Sequence, residues 1–200
     1  MARGFGRLRR EDLLRTACDV IAARGFGHTR TTDIAQAAGV SQALLFYHFE
    51  TKEKLFAQAF SYAAQLDLDA LTKVEESGGS PLDRLRALLR FYPPSGKSKS
   101  WALWIDAWAE SIRNAELEET SRRIDMRWKE ALRAIIDDGV TAEVFTCADP
   151  EGTTWRVMSL IDGLSTQVTV HRRVLSRARM TEFIRTAAAA ELGLSPAELS

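Results

Sequence analysis

Apolar residues recur along most of the chain at the spacing of an α-helix, about 3.6 residues per turn. The first apolar stripe comprises Leu13, Leu14, Ala17, Cys18 and Ile21. Gly25 follows this stripe, and glycine is the residue that most often ends a helix. The pattern therefore predicts a helix that buries one face and stops before Gly25.

The same periodicity predicts helices along the rest of the chain. Ser41 is placed to cap a short helix over residues 42–48, and Pro81 suits the first turn of another. The other predicted helices cover residues 34–38, 52–74, 101–113, 117–138, 150–172 and 176–192, and residues 93–100 form the clearest loop. Because no segment alternates apolar and polar residues, the sequence predicts an all-α fold of about nine helices.

Residues 31–50 have the pattern of a helix-turn-helix. Ala35 is small enough for two helices to cross closely, and Gly39 supplies the positive φ that a tight turn requires. The apolar positions expected to seal the contact between the two helices are Ile34, Ala38, Val40 and Leu45. The exposed positions of the second helix would then face the major groove of DNA.

A plain helical hairpin has the same pattern, so the flanking residues decide between the two interpretations. Four arginines precede the first helix with no acid among them: Arg3, Arg7, Arg9 and Arg10. The side chains that follow the second short helix are His48, Thr51, Lys52 and Lys54. Residues of these types bind phosphate, so the flanks favour a nucleic-acid reader.

A dense set of motif residues lies between positions 8 and 56. They are Gly25-Phe26, Thr29, Asp33-Ile34-Ala35, Ala38-Gly39-Val40-Ser41, Leu45, Tyr47-His48-Phe49 and Thr51-Lys52-Glu53-Lys54-Leu55. This set resembles the DNA-binding segment of the TetR-type repressors. The resemblance implies an all-α homodimer with a DNA-binding domain over residues 1–56 and an effector-binding and dimerisation domain over residues 57–200.

The resemblance assigns base contacts to Gln42, Ala43 and Leu44. A glutamine can pair with adenine through two hydrogen bonds, and apolar side chains can contact the thymine methyl group. Phosphate contacts are assigned to Thr31, Tyr47, His48 and Lys52. The full set of candidate DNA-binding residues is Arg30, Thr31, Thr32, Ser41, Gln42, Ala43, Leu44, Tyr47, His48 and Lys52.

Two positions depart from the family pattern. Arg30 stands where Thr or Ser is usual, so the cap of the helix after it is expected to be Thr29 or Thr31. Whether Arg30 contacts DNA is left open. Phe46 stands where a phosphate-binding Tyr is frequent, and Tyr47 is expected to replace the missing hydroxyl.

The C-terminal region is rich in tryptophan. Trp101, Trp104 and Trp108 recur at one face of one helix, and Trp128 and Trp155 follow later. A wider set resembles the branch related to the betaine-pathway repressor, the BetI type. That set is Trp101, Trp104, Asp106, Ala109, Trp128, Leu132, Gly139, Phe145 and Leu160-Ile161-Asp162-Gly163-Leu164. This second resemblance implies a variant of the fold more than a particular ligand.

An effector pocket is predicted in this region. Its candidate residues are Trp101, Trp104, Asp106, Trp108, Trp128, Trp155, Met158 and Asp162. Acids beside indole rings suit a cation such as a quaternary amine or a polyamine. The alternative is that the aromatic stripe belongs to the protein core and that the acids pair with arginines or face solvent.

The net charge of zero conceals two unlike segments. Residues 1–56 carry nine basic and six acidic side chains, whereas residues 101–151 carry six basic and twelve acidic ones. A zero total argues only against a protein that coats nucleic acid non-specifically. The polarised distribution fits a basic DNA-binding end and an acidic region that could attract a cation.

Several classes of protein are disfavoured by what the sequence lacks. No stretch approaches the roughly 18–20 apolar residues of a membrane helix, and the N-terminus does not resemble a signal peptide. Cys18 and Cys147 lack a metal-ligand spacing, and the three histidines show no catalytic spacing. A reduced, cytoplasmic protein without metal, cofactor or enzymatic activity is therefore expected.

The resulting prediction is a ligand-responsive DNA-binding regulator, most simply a repressor on an inverted-repeat operator. Dimerisation is expected through the last two helices. Their candidate contact residues are Val157, Leu160, Ile161, Leu164, Val168, Phe183, Ile184 and residues 187–190. A nearby arginine cluster, interpreted as a solvated junction, comprises Arg172, Arg173, Arg177 and Arg179. The alternatives are a helical ligand-binding protein without enzymatic activity and a helical enzyme with an unrecognised motif, and activation remains open beside repression.

Overall fold

The computed structural model describes residues 10–94, 99–171 and 173–200. Within these ranges the chain forms nine α-helices, one 3-10 helix and no strand, which confirms the all-α prediction. The helices are α1 Arg10–Arg24, α2 Thr31–Ala38, α3 Gln42–Phe49, α4 Lys52–Glu75, α5 Pro81–Phe91, α6 Lys99–Ser111, α7 Ala115–Thr141, α8 Pro150–Val170 and α9 Arg177–Leu192. The 3-10 helix, Pro196–Leu199, is absent from the sequence prediction.

Capping residues explain why several of these helices begin where they do. Ser80 and Asp149 accept backbone N–H groups in the first turns of α5 and α8, and a proline is the next residue in both cases. Ser176 caps α9 in the same way. Local side-chain chemistry therefore fixes these boundaries, and sequence patterns predict them to within a few residues.

The chain divides into two compact units. Unit 1 contains α1 to Leu66 together with Ala102–Ile124, and unit 2 contains Asp67–Trp101 together with Asp125–Ser200. The core of unit 1 includes Phe26, whose ring meets the edges of Phe56 and Phe60 at centroid distances of 5.4 and 6.4 Å. The functional boundary predicted at residue 56 stays a prediction, because compactness is a different criterion from function.

In unit 2, α8 packs against α9, and the 3-10 helix packs against α9 and α5. This packing corrects part of the expected dimer surface. Five of the residues proposed for it are buried in the chain's own core: Val157, Ile161, Ile184, Ala188 and Ala189. Because the apolar faces of the two helices meet each other, a second subunit could contact only their outer faces.

Some predicted features lie outside the described residues, namely Arg3, Arg7, Arg9, Arg172 and residues 95–98 of the predicted loop. Among the residues that are described, no helix combines the length and the apolar character that crossing a bilayer requires.

Candidate nucleic-acid interface and ligand site

The turn between α2 and α3 has the geometry that the sequence predicts. Gly39 adopts φ +67°, and a Cβ at this position would meet no atom within 4 Å, so only the backbone conformation demands glycine. Ser41 then caps α3, because its Oγ accepts the N–H of Leu44 at 3.2 Å. Both predictions are confirmed, and together they place α3 directly after a tight turn.

The start of α2 differs from the prediction. Arg30 is the N-cap residue, and its N–H donates to the carboxylate of Asp33 at 2.9 Å. The buried hydroxyl of Thr29 instead donates to the carbonyl of Gly25 at 2.6 Å, and Thr31 is already helical. The expected cap at Thr29 or Thr31 is therefore wrong. Asp33, in the first turn of α2, accepts the backbone N–H of the N-cap residue Arg30 instead.

Asp33 also pairs with Arg24 of α1 at 2.6 Å, which ties the start of α2 to the preceding helix. The pKa of Asp33 is lowered, first by the N–H of Arg30 and then by the Arg24 guanidinium. The carboxylate therefore stays ionised at neutral pH and keeps both its contact with Arg24 and its hydrogen bond at the start of α2.

One face of α3 is exposed, and it contains the residues assigned to base contacts. Gln42, Ala43 and Leu44 are exposed, and Tyr47 keeps 81% of its surface in solvent. On the opposite face, Leu45 and Phe49 are buried. The sequence therefore anchors α3 by its apolar face and presents the residues that would enter a DNA groove.

A hydrogen bond joins two of the candidate DNA contacts. The side-chain amide of Gln42 donates to the hydroxyl of Thr31 at 2.5 Å, linking the first residue of α3 to the first residue of α2. The amide of Gln42 is thereby oriented by the neighbouring helix, while its second N–H and its carbonyl oxygen remain available to a base.

The candidate phosphate contacts differ in how far they are engaged. Lys52 lies over the ring of Phe56 at 4.9 Å, and the His48 ring contacts Tyr47 at 5.3 Å. Lys54 is paired with Glu50 at 2.5 Å, which lowers the pKa of that carboxyl. The remaining candidates, Arg30 and Thr32, are exposed, and so is Phe46, which the sequence analysis does not assign to DNA.

Three residues predicted for the effector pocket belong to unit 1. Asp106 accepts the backbone N–H of Phe26 at 2.6 Å, and a Cβ on Gly25 would lie 3.1 Å from the same carboxylate. The Trp104 ring packs edge-on against Phe60 at 4.7 Å and lies 5.8 Å from Trp108. These contacts give Asp106 and Trp104 structural roles within unit 1.

The other five predicted residues belong to unit 2, where three of them surround Tyr92. The Tyr92 ring lies 5.8 Å from Trp101 and 4.8 Å from Trp128, and the Trp101 indole N–H donates to the Tyr92 carbonyl at 3.1 Å. The Tyr92 hydroxyl donates to the carboxylate of Asp162 at 2.8 Å. We call Tyr92, Trp101, Trp128 and Asp162 the aromatic–acid cluster.

Asp162 is the chemically distinctive member of this cluster. Burial raises the pKa of its carboxyl to about 6, and the charge of Asp125 adds to the rise, whereas the Tyr92 hydrogen bond and Lys129 oppose it. Lys129 is buried, pairs with Asp125 at 2.5 Å and lies 4.8 Å from the ring centre of Trp155. A desolvated carboxylate beside aromatic rings can attract a cation.

Sequence reasoning missed Tyr92, Asp125 and Lys129. Tyr92 stands just before two prolines at the end of α5, a place that sequence patterns mark only as the start of a loop. Asp125 and Lys129 are spaced i, i+4 on α7, which is the usual pattern of a solvated ion pair. The remaining predicted residues are Met158, which is fully buried, and Trp155, which is 48% exposed.

Two family models match the chain. Residues 13–59 match the model described as bacterial regulatory proteins of the tetR family, and residues 81–193 match the model described as the C-terminal region of BetI-type transcriptional repressors. The second match alone covers more than half of the 200 residues.

Curated relatives and solved structures agree with these matches. The chain is 29% identical to the transcriptional regulator BetI of Rhizobium meliloti over 80% of this chain and 78% of that protein. For BetI of Stenotrophomonas maltophilia the identity is 27%, over 62% of this chain and 65%, just under two thirds, of that protein.

A transcriptional regulator from Saccharomonospora viridis, solved in complex with choline, is 28% identical with a TM-score of 0.77. The match covers 86% of this chain and 91% of that one. A regulator from Haloarcula marismortui, at 22% identity and a TM-score of 0.81 over 91% and 97% of the two chains, shares the fold.

Proposed function

Because this chain belongs to the TetR family of transcriptional regulators and has a BetI-type C-terminal region, we propose that it is a ligand-responsive repressor. It binds an inverted-repeat operator in the cytoplasm as a homodimer, with residues 1–56 reading DNA and residues 57–200 binding effector. The observation that carries the proposal is the exposed face of α3, which follows a tight turn and presents Gln42, Ala43, Leu44 and Tyr47.

The proposed DNA contacts divide into two kinds. Gln42, Ala43 and Leu44 reach base edges in the major groove, where a glutamine can recognise adenine. Thr31, Tyr47, His48 and Lys52 contact phosphates on both sides, and Arg30, Thr32 and Ser41 lie close to them in sequence. Phosphate contacts position the helix, and base contacts select the sequence.

The proposed dimer uses the outer faces of α8 and α9. Support comes from exposed apolar side chains on these helices, Val170 and Phe183. A dimeric reader must place its two α3 helices about one turn of DNA apart, roughly 34–36 Å, or a multiple of it. The effector would favour a dimer in which that spacing is lost, which requires different affinities for the two states.

We propose a small cation as the effector, held by Asp162 and the rings of the aromatic–acid cluster. Buried acid and π faces together favour a quaternary ammonium group over a neutral molecule of the same shape. The choline bound to the Saccharomonospora viridis regulator supports this class of ligand. Trp155 and Met158, which lie in unit 2 like the cluster, remain proposed pocket residues. Trp108 lies in unit 1 and stays a prediction from the sequence, whereas Trp104 and Asp106 have the structural contacts described above.

The DNA-binding proposal is tested by separating sequence preference from affinity. An operator is first selected from a random-sequence DNA library, and binding to it and to random DNA is then measured at several salt concentrations. Gln42→Ala is expected to relax the preference for the selected operator. Lys52→Ala is expected to weaken binding to all sequences and to lower the salt slope by about one unit.

Lys73→Ala is the matched control, because Lys73 is an exposed lysine in the last turn of the same helix as Lys52. It should leave both affinities and the salt slope unchanged. If Gln42→Ala and Lys52→Ala alter specific and random binding equally, the assignment of roles on α3 and α4 is wrong.

A further inference from the structure

A second potential ligand site lies in unit 2, between α5, α9 and the C-terminal 3-10 helix. It is a cavity of about 210 Å³, and four arginines line it: Arg86, Arg90, Arg177 and Arg185. We call it the arginine cavity. None of the described residues that line it is acidic, and none belongs to the aromatic–acid cluster.

Three of these arginines lack a partner in the described part of the chain. Arg90, Arg177 and Arg185 form no ion pair or hydrogen bond with any residue in 10–94, 99–171 or 173–200. Arg86 is already engaged, since it pairs with Asp83 at 2.9 Å and donates to the carbonyl of Glu198 at 2.7 Å. Three guanidinium groups around one cavity therefore keep their donors available.

The fold brings these charges together through helical spacing. Arg86 and Arg90 are four residues apart on α5, and Arg177 and Arg185 are eight residues apart on α9, so each pair lies on one face of its helix. Arg177 is also the first residue of α9, where the helix dipole adds positive potential. Like charges gathered in this way repel each other, and a bound anion would relieve the repulsion.

Part of the cavity lining is apolar. Leu89, Met180, Ile184 and Leu199 line it and are buried. A volume of about 210 Å³ is below the ~300–1,000 Å³ of sites for drug-sized ligands, so only a small molecule fits. Guanidinium groups beside buried apolar side chains match an anion that carries a short hydrocarbon body.

We propose that the arginine cavity binds a small organic carboxylate. The carboxylate pairs with the guanidinium groups of Arg90, Arg177 and Arg185, and guanidinium favours carboxylate through two parallel hydrogen bonds. The hydrocarbon part packs against Leu89 and Met180. Such a site would give the protein a second input, opposite in charge to the proposed cationic effector and separate from it.

The test uses the full chain labelled with ¹³C at the methionine methyl groups. Met180 lines the cavity, whereas Met126 and Met158 do not, so its signal, assigned with Met180→Leu, reports occupancy. Titration with butyrate and then hexanoate is expected to shift the Met180 signal saturably, with hexanoate binding more tightly. Arg177→Gln and Arg185→Gln should each weaken binding about tenfold, as expected for a lost charge-assisted hydrogen bond.

Arg179→Gln is the matched control, because Arg179 is on the same helix but pairs with Glu182 at 2.8 Å and does not line the cavity. Its affinity for hexanoate should stay within twofold of the wild type. The proposal is overturned by a Met180 signal that does not saturate, by equal effects of all three arginine variants, or by inorganic phosphate binding as tightly as hexanoate. The last result would mean a generic basic patch. None of these outcomes depends on choline or DNA binding.

Discussion

The helix-turn-helix formed by α2 and α3 and the aromatic–acid cluster each contain a side-chain hydrogen bond that orients a candidate functional group. The two bonds lie in different surroundings. The Gln42–Thr31 bond, at 2.5 Å, joins the exposed side chain of Gln42 to the hydroxyl of Thr31, a residue that is buried. The Tyr92–Asp162 bond, at 2.8 Å, lies in a setting where burial raises the pKa of both groups. The first bond joins two neutral groups and orients an amide, whereas changes at the second alter the ionisation of a carboxyl.

The two regions are suited to different kinds of partner. An exposed set of polar donors can contact base edges and phosphates, and the affinity of such a surface for DNA depends on salt because counterions are released. A partly buried carboxylate beside aromatic rings discriminates by charge, because leaving it without a compensating cation is unfavourable. The two acids that the sequence predicts for one pocket have different partners: Asp106 accepts the backbone N–H of Phe26 in unit 1, whereas Asp162 accepts the hydroxyl of Tyr92 in unit 2.

The largest expected effect is the loss of cation binding in Asp162→Asn. Removing a buried charge partner costs about 2 kcal/mol or more, so choline affinity should fall at least thirtyfold when followed by tryptophan fluorescence. Glu130→Gln, which changes an exposed acid on α7, is the control and should leave the affinity unchanged.

The ligand series sharpens this test. In the wild type, 3,3-dimethylbutanol, the neutral analogue of choline, should bind much more weakly than choline, and Asp162→Asn should remove most of that difference. If only uncharged or anionic molecules bind, the cationic effector is excluded, and the proposed contrast between the two regions fails with it.

Sequence patterns predict the helices and the turn between α2 and α3 well, because caps and turns depend on residues close together in sequence. Ser41, Gly39 and the proline at position 81 act on neighbours a few residues away. The missed features either join residues far apart in sequence or have an unexpected residue in the expected role. Tyr92 meets Asp162 across 70 positions, and Asp33 replaces the cap that the sequence analysis sought at Thr29 or Thr31.

The tryptophan stripe shows a second limit of periodicity. Trp101 and Trp104 share one helix, yet they belong to different compact units, with Trp104 packed on Phe60 and Trp101 bonded to Tyr92. A helical pattern establishes that residues share a face, and it does not establish which neighbours that face meets. Part of the predicted dimer surface is corrected for the same reason, since Ile161 and Ile184 are buried in the chain's own core.

A smaller effect is expected from Asp106→Ala, which tests whether this acid is structural. The substitution leaves the Phe26 N–H without its acceptor, which costs ~1–3 kcal/mol. For a chain of this length the midpoint of thermal unfolding should fall by about 2–12 °C. Choline affinity should change less than twofold. Glu110→Ala on the same helix is the control, and a large loss of choline binding in Asp106→Ala would return this acid to the ligand site.

The smallest expected effect is a pH dependence that should be confined to the aromatic–acid cluster. The folded-state pKa of Asp162 is about 6, above its ordinary value, so its carboxyl is mostly neutral at pH 5 and mostly ionised at pH 7. A cation favours the ionised form, so binding below pH 6 must expel a proton, and choline affinity should fall about tenfold from pH 7 to pH 5. Tyr92, Asp125 and Lys129 face the same carboxyl, and Asp125 raises its pKa while Tyr92 and Lys129 lower it. In Asp162→Asn the residual affinity for choline should not change with pH over this range.

The same carboxyl should make stability depend on pH in the absence of ligand. Between about pH 4 and 6 the folded wild type binds more protons than the unfolded chain. The free energy of unfolding of the wild type, relative to that of Asp162→Asn, should therefore increase as the pH falls through this range. If the two proteins show the same pH profile in both measurements, the carboxyl of Asp162 does not titrate with the binding of the cation.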